Sequence, residues 1–232
     1  MKIDIWSDVV CPFCYIGKRR LEAALAEFPH RDEVEIVWHS FELDPGARSA
    51  PAGSLPDRLA AKYGMSREQA VASQESLAAN AATVGLDFQW DKARPGNTFD
   101  AHRVIHLAAT RGLADAAKER LLRAYFTEGR DIADGDTLVG LATEVGIEET
   151  EVRSVLGSDA FAADVRADEA QARAYGITGV PFFVLDGKFG ISGAQPTELF
   201  TQALTQAWTE AHPLQMVTTT PGDACEGDAC AI

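Results

Sequence analysis

The stretch that decides the fold is Trp6-Ser-Asp-Val-Val-Cys11-Pro-Phe-Cys14-Tyr-Ile-Gly17. The residues that lead into it, Lys2 to Trp6, alternate polar and apolar side chains, which predicts a β-strand. A helical apolar pattern then runs from Pro12 to Phe28, and a proline suits the first helical turn, where its missing N–H costs nothing. The sequence therefore predicts a strand that leads directly into a helix, with Cys11 at the junction.

The two cysteines of this stretch have the spacing of a redox pair. Cys11 caps the predicted helix, where unpaired backbone N–H groups and the helix dipole favour an anion. A thiolate is such an anion, and it is the nucleophile of disulfide exchange. Cys14 lies one turn later on the same helix, close enough to close a small disulfide. We therefore expect Cys11 to attack a substrate disulfide and Cys14 to resolve the mixed disulfide.

Two other interpretations of Cys-x-x-Cys stay open at this point. The pair is half of a zinc site in some proteins, although such a site usually needs a second close pair. It also occurs as two buried structural cysteines. Thiols at a helix start just after a strand favour redox chemistry over both alternatives.

The composition limits the classes of protein to which this chain can belong. The chain has 232 residues, of which 46% are hydrophobic, which is enough for a sizeable core in one domain or two. Its net charge of −14 predicts no basic groove for nucleic acid and no binding to an anionic membrane. No apolar run approaches the length of a membrane span. No sequence pattern predicts a cofactor, and no set of residues predicts a metal site.

The four cysteines come as two close pairs, Cys11/Cys14 and Cys225/Cys230. A secreted disulfide scaffold would need more cysteines, spread along the chain. The first predicted strand starts at Lys2, which leaves no room for a signal peptide before it. We therefore expect a cytoplasmic protein.

The rest of the chain is predicted to form an α/β layer that a block of helices interrupts. A second strand at Val34–Phe41 completes a parallel βαβ unit. A loop from Asp44 to Pro56 leads into helices that continue to about Tyr175. Among them we expect one that a capping box of Ser66 and Gln69 opens and one from Asp115 to Glu128. The expected elements after the block are a strand at 182–185, a turn at Asp186-Gly187, a returning strand at 188–191, and a helix from Pro196 to Ala211.

Two motifs in this order resemble the thioredoxin superfamily, and specifically its DsbA-like branch. Cys11-Pro12-Phe13-Cys14 matches the active-site motif, and Thr178-Gly-Val-Pro-Phe-Phe183 matches the cis-proline loop. Asp8, Tyr15-Ile16-Gly17 and the stretch from Asn97 to Arg103 are similar to the FrnE subgroup. The resemblance implies a thioredoxin fold with a large all-helical insertion between the second and third strands.

With these boundaries, residues 1–45 and 176–212 are expected to form a discontinuous thioredoxin-like domain. Residues 46–175 would be the helical insertion domain, and residues 213–232 a flexible C-terminal tail. The tail carries Cys225 and Cys230, which we interpret as a second redox pair; a solvent-exposed tail whose thiols merely oxidise or bind metal adventitiously is the alternative.

The resemblance also implies roles for individual residues. A cis Val180–Pro181 bond would face Cys11 and expose the Val180 backbone to an extended substrate. Phe13, Asn97 and His102 are the other expected substrate contacts, and Asp8 is a candidate proton relay to Cys14. Helix capping for Asn97 and a simple loop role for Asp8 are the alternatives.

The function implied is that of a thiol–disulfide oxidoreductase, acting as a protein disulfide reductase or isomerase. Its partners would be protein or small disulfide substrates and a recycling thiol such as glutathione, mycothiol or a thioredoxin-like protein. The sequence does not indicate the oligomeric state. One alternative is a glutathione-dependent isomerase or transferase of the 2-hydroxychromene-2-carboxylate isomerase or kappa type, many of which use serine at the first motif position. A zinc-binding or chaperone-like binding protein is the other.

Overall fold

The strands found in the described residues form one mixed sheet. The computed structural model describes residues 1–47 and 53–213. The strands are β1 (Lys2–Ser7), β2 (Glu35–Ser40), β3 (Phe182–Leu185) and β4 (Phe189–Ser192), in the order β2-β1-β3-β4. β1 pairs parallel with β2 and antiparallel with β3, which in turn pairs antiparallel with β4. β1 is thus an inner strand, and it leads directly into the cysteine motif.

Helix α1 (Pro12–Ala26) connects β1 to β2, which confirms the predicted parallel βαβ unit. The helix ends two residues before the predicted Phe28. The helical conformation is unfavourable for a residue that directly precedes a proline, and Phe28 precedes Pro29. The helix therefore ends before Phe28. Phe28 is nevertheless buried against the core, with 6% of its surface exposed.

The segment between β2 and β3 is helical, as predicted, and contains no strand within its described residues. Its helices are α2 (Leu55–Tyr63), α3 (Arg67–Ala82), α4 (Phe99–Ala109), α5 (Ala114–Arg123), α6 (Gly135–Glu144), α7 (Glu149–Leu156) and α8 (Ala162–Ala174). The capping box of Ser66 and Gln69 opens α3, as predicted. A second capping box, of Ser54 and Asp57, starts α2 inside the segment that we expected to be loop.

The helix predicted from Asp115 to Glu128 needs a correction. α5 ends at Arg123, and the chain continues as a wider π-helical turn over Ala124–Glu128. Gly129 then ends the turn in the left-handed conformation, with φ of 66°. A Cβ at this position would lie 2.6 Å from the Lys92 Cβ, so only glycine fits. Apolar spacing alone does not distinguish a π turn from a further α turn.

The predicted hairpin joins β3 to β4. Asp186 and Gly187 have φ values of 46° and 68°, as the centre of a type I′ turn requires, and the Lys188 N–H donates to the Leu185 carbonyl. Strand pairing resumes with Phe189 opposite Leu185, so the loop is one residue longer than predicted and the returning strand begins at Phe189 rather than Lys188. The Asp186 carboxylate also accepts the Lys2 N–H at 2.7 Å, which ties the turn to the start of β1. Helix α9 (Thr197–Ala211) closes the described fold.

One apolar core joins the sheet to the inserted helices. Ile3, Ile5 and Phe183 of the strands belong to the same buried cluster as Val104 and Leu121 of the insertion. A smaller cluster contains Trp6, Ala172, Ile177 and Val184. The division into domains stays a prediction. Within residues 1–47 and 53–213, every helix is too short or too polar to cross a lipid bilayer.

The side chain of His39 on β2 links α8 to the sheet through hydrogen bonds. The His39 ring lies between the carboxylates of Asp4 on β1 and Asp168 on α8, at 2.7 Å from each. Trp6 stacks on the same ring at 4.4 Å and donates its indole N–H to the Asp168 carbonyl. The network therefore links two strands to the helix that precedes the Val180–Pro181 loop.

This network changes the ionisation of its members. Burial lowers the pKa of His39, but the hydrogen bonds and charges of Asp168 and Asp4 outweigh burial and raise it. Burial raises the pKa of Asp168, but bonds with His106, His39 and the Ser40 N–H leave it well below its usual range. His39 is therefore held as a cation between two carboxylates.

We expect His39→Gln to destabilise the protein in a pH-dependent way. A folded-state pKa above the unfolded value gives stability that is fully present below about pH 6.5 and is lost as pH rises through the folded pKa. The wild type should exceed the variant in free energy of unfolding by roughly 2–4 kcal/mol at about pH 6, because the variant leaves carboxylates unpaired. The gap should narrow at alkaline pH. Urea titrations of the reduced proteins would check this, and a gap that widens with pH would contradict it.

Candidate active site

The end of β1 places Cys11 at the N-terminus of α1. Cys11 is the N-cap residue, with extended backbone angles (φ −90°, ψ 112°), and Pro12 occupies the first turn. The Cys11 sulfur accepts the Cys14 N–H at 3.3 Å. A backbone donor of the first helical turn therefore points at this sulfur, which is the arrangement that favours a thiolate.

The Val180–Pro181 loop faces the same sulfur. The Cys11 thiol lies 3.5 Å from the Val180 carbonyl, to which it donates. The Val180–Pro181 bond is cis, as predicted. Two segments that are about 170 residues apart in sequence therefore meet at one atom of the motif.

Cys14 has a different environment from Cys11. Both cysteines are free thiols and both are buried, with 3% of the Cys11 surface and 2% of the Cys14 surface exposed, so their contacts rather than their exposure differ. Burial raises the pKa of Cys14 well above its usual range, and the hydrogen bond and charge of Cys11 raise it further. Cys14 therefore keeps its proton, which suits a resolving thiol that reacts second.

Asp8 is a buried carboxylate directly before the motif. Its oxygens accept the N–H groups of Val9 at 2.7 Å and Leu43 at 2.8 Å, and His102 Nε2 lies 3.2 Å away. Burial raises the pKa of Asp8, but the His102 bond, the Leu43 N–H and the charge of Lys118 outweigh it and lower the pKa. Asp8 is therefore ionised, and a role in proton relay stays a prediction.

The other predicted site residues lie at different depths. Phe13 is 47% exposed beside Cys11, as a substrate contact requires. His102 is only 1% exposed, and burial lowers its pKa, so a neutral ring donates to Asp8 from within the core. Asn97 accepts the Phe99 N–H at 2.9 Å and supports the start of α4, which is the capping alternative. These positions bring Phe13 to the surface of the site and leave His102 beneath it.

Sequence reasoning missed a buried lysine in this region. Lys118 on α5 is 1% exposed and donates to the carbonyl of Ser7, the last residue of β1. A signal for it exists in the sequence, because Lys118 shares the apolar side of its helix with Leu121, Leu122 and Tyr125. A lysine that is followed by apolar residues at i+3, i+4 and i+7 lies on the buried face of its helix and is predicted to be buried itself.

Gly17 allows α1 to approach the cis-proline loop. A Cβ on this residue would lie 3.1 Å from the Pro181 ring and 3.2 Å from the Phe183 ring. Both neighbours are themselves packed in the core, so neither has room to move away. The third residue after Cys14 therefore helps to set the distance between the cysteines and Pro181.

No group of three or more side chains suited to bind a metal occurs in the part of the chain that the structure describes. Cys225 and Cys230 lie outside the described residues. Their role as a second redox pair stays a prediction.

Comparison with known proteins identifies the family. The model of the DSBA-like thioredoxin domain matches residues 2–205. The chain belongs to this family. A probable DsbA oxidoreductase from Streptomyces coelicolor is 50% identical, with a TM-score of 0.88 over 100% of this chain and 99% of that one. An uncharacterized protein of Bacillus subtilis, YwbO, is 31% identical over 88% of this chain and 95% of its own length.

A further solved structure shares the fold alone. It is the cytosolic disulfide reductase DsbM from Pseudomonas aeruginosa, with GSH, at 20% identity and a TM-score of 0.63 over 89% of this chain and 98% of that one. Together with the family match, these findings confirm the predicted DsbA-like thioredoxin fold and the predicted thiol–disulfide oxidoreductase. The finer assignment to the FrnE subgroup stays a prediction.

We expect Gly17→Ala to weaken both the fold and the site. The added methyl forces α1 away from Pro181 and Phe183, which should cost roughly 1–3 kcal/mol of unfolding free energy and slow disulfide turnover. Gly140→Ala in α6 is the matched control, because a Cβ there meets nothing within 4 Å. That control should be neutral or stabilising by up to about 1 kcal/mol. Chemical denaturation and peptide-disulfide reduction would check both, and equal behaviour of the two variants would refute the packing argument.

Proposed function

We propose that this protein reduces or isomerises disulfides in extended polypeptide segments in the cytoplasm. Cys11 is the nucleophile, and Cys14 is the resolving thiol. The observation that carries the proposal is the contact of Cys11 with the Val180 carbonyl at 3.5 Å, at the N-terminus of α1.

The reaction proceeds by two thiol–disulfide exchanges. The Cys11 sulfur attacks one sulfur of a substrate disulfide, forms a mixed disulfide and releases the other substrate sulfur, which takes a proton. Cys14 then attacks the Cys11 sulfur, loses its proton to solvent and releases the second substrate thiol. Two external thiols return the Cys11–Cys14 disulfide to the dithiol and leave as one disulfide. In isomerisation a different thiol of the substrate attacks the substrate sulfur of the mixed disulfide, forms a new substrate disulfide and releases the Cys11 thiolate.

An extended substrate fits the main chain beside Cys11. Val180 is half-buried, and its carbonyl faces the Cys11 sulfur. A peptide strand that pairs with this backbone would bring its own cysteine next to Cys11, in the manner of strand addition. Side-chain-independent pairing of this kind supports broad specificity for polypeptides.

Exposed apolar side chains border the site. Phe13, Leu43 and Tyr175 have 47%, 41% and 55% of their surfaces exposed. The Leu43 N–H is bound by Asp8, and the Tyr175 ring packs edge-on against Trp6 at 5.7 Å. All three therefore lie on segments that adjoin the motif or the strand before it. Apolar patches of this kind favour an unfolded or extended polypeptide over a small polar disulfide.

The cytoplasmic location and the recycling thiol are parts of the proposal. A reductase needs a steady supply of external thiol, which cytosol provides as glutathione or a comparable low-molecular-weight thiol. The fold neighbour from Pseudomonas aeruginosa is a cytosolic disulfide reductase whose structure contains GSH, which supports the same class of reductant here. Mycothiol and thioredoxin-like proteins remain candidates, and Asp8 is the proposed relay for the Cys14 proton.

The alternatives have less support. A glutathione-dependent isomerase or transferase would not require a resolving cysteine, whereas this chain has a buried thiol at Cys14 in contact with Cys11. A zinc-binding protein would need further ligands near the motif, and the described residues supply no such cluster.

We expect Cys14→Ser to accumulate mixed disulfides. Without the resolving thiol, the Cys11–substrate bond persists, so incubation with a disulfide-containing peptide should give a covalent adduct at Cys11. Cys11→Ser is the matched control and should give no adduct, because the nucleophile is absent. Non-reducing electrophoresis and peptide mass spectrometry would measure this. An adduct of equal yield at Cys14 in Cys11→Ser would reverse the proposed roles.

We expect Phe13→Ser to discriminate between substrate classes. Loss of this apolar side chain from the border of the site should lower kcat/KM for a peptide disulfide by about tenfold, equivalent to about 1.4 kcal/mol of binding, and leave the rate with hydroxyethyl disulfide nearly unchanged, because no charge is introduced next to Cys11. Leu199→Ser is the control, since Leu199 is an exposed apolar residue on α9. Equal losses with both substrates would argue against the polypeptide proposal.

A further inference from the structure

The ammonium group of Lys118 is buried without a carboxylate partner. Only 1% of the residue surface is exposed, and Nζ donates to the Ser7 carbonyl at 3.2 Å. The Trp38 ring lies on another side, with its centroid 5.5 Å from Nζ. Within residues 1–47 and 53–213, no carboxylate oxygen lies within 4.0 Å of this nitrogen. An ammonium has three donors, so most of its hydrogen-bonding capacity is unused here.

A second buried lysine shows what a structural lysine looks like in this protein. The Lys18 side chain on α1 is 4% exposed, and its ammonium is paired with Glu22, Asp115 and Glu119. The pairs with Asp115 and Glu119 join α1 to α5. Burial of an unpaired charge costs several kcal/mol of folding free energy. Fold stability therefore does not explain why a lysine occupies position 118.

The groups that face Lys118 are those of the reaction. Burial lowers the pKa of Lys118 and outweighs the negative charges of Cys14, Asp8 and Cys11, which act to raise it, so the pKa lies below its usual value; the charge of Lys18 also acts to lower it. His102 on α4 is the remaining titratable neighbour, and it is already bound to Asp8. The Lys118 charge in turn acts to lower the pKa of Cys14. The cysteines and Lys118 are therefore electrostatically coupled through the end of β1.

We propose that the Lys118 ammonium is the buried counter-ion of the reduced Cys11–Cys14 pair, and that it sets the position of the dithiol–disulfide equilibrium. The inference rests on the proposed thiol–disulfide chemistry of this pair. Lys118 acts through the cysteines as a positioning residue for charge, not as a group that exchanges electrons. No mechanism assigned above uses it.

The direction of the effect follows from the charges. Disulfide plus two external thiols gives dithiol plus one external disulfide, and only the dithiol side can carry a cysteine thiolate. A buried cation stabilises such a thiolate and leaves the uncharged disulfide unaffected, so it shifts the equilibrium towards the reduced form.

Lys118→Met tests the proposal, because methionine keeps the length and apolar volume of the stem and removes the charge. We expect the equilibrium with reduced and oxidised glutathione to shift towards the Cys11–Cys14 disulfide by about tenfold or more, which corresponds to about 30 mV for each tenfold change. The unfolding midpoint of the reduced variant should be unchanged or higher, because an unpaired buried charge is lost. Lys118→Arg, which restores a cation, should return the equilibrium towards the wild-type value.

Lys18→Met is the matched control. It removes a buried lysine that is paired with carboxylates, so it should lower the unfolding midpoint and move the glutathione equilibrium by less than about threefold. If the Lys118→Met variant has a lower unfolding midpoint and the same glutathione equilibrium as the wild type, Lys118 has a structural role. That result would overturn the inference. Wild-type protein that forms no Cys11–Cys14 disulfide in any glutathione buffer would instead refute the proposed function itself.

Discussion

The meeting of the Cys11 sulfur with the N-terminus of α1 is the contact on which the rest of the structure depends. β1 ends at Ser7, and only four residues separate it from the helix. An inner strand thus fixes the position of the sulfur, and a backbone N–H of the first helical turn points at it. The sulfur that we propose as the nucleophile is therefore positioned by an inner strand and a helix, which is the arrangement that a pre-organised nucleophile needs.

The contacts of the two thiols give them different chemistry. Cys11 contacts the Cys14 N–H and the Val180 carbonyl, while burial and its neighbour keep the proton on Cys14. The inserted helices place polar groups near this pair, since α4 carries His102 and α5 carries Lys118. The insertion therefore does more than cover the sheet, because it supplies polar groups beneath the motif.

The fold was largely predictable from local patterns. Alternation predicted β1, the proline and apolar spacing predicted α1, and Asp186-Gly187 predicted the hairpin, since each depends on residues that are neighbours in sequence. The end of α5 was not predictable, because Gly129 is required by Lys92, which is 37 positions away and touches it only in the folded chain.

The site was predictable in part, for the same reason. The motif indicated Cys11, Cys14 and the cis Val180–Pro181 bond, while the partners of the buried polar groups depend on tertiary contacts. Asp8 was predicted as a site residue. His102, whose ring is bonded to Asp8, was expected to contact substrate instead. The burial of Lys118 was not predicted, because a lysine is expected to reach solvent unless it is known to lie on the apolar face of its helix.

Site-specific alkylation of the reduced protein tests the central claim, the unequal roles of the two thiols, most directly. The reaction would use less than one equivalent of iodoacetamide at neutral pH, in a Cys225→Ser/Cys230→Ser background so that only the motif cysteines compete. Peptide mass spectrometry would then locate the label. The account predicts label on Cys11, with Cys14 unmodified while Cys11 is free. Label mainly on Cys14, or equally on both, would contradict it.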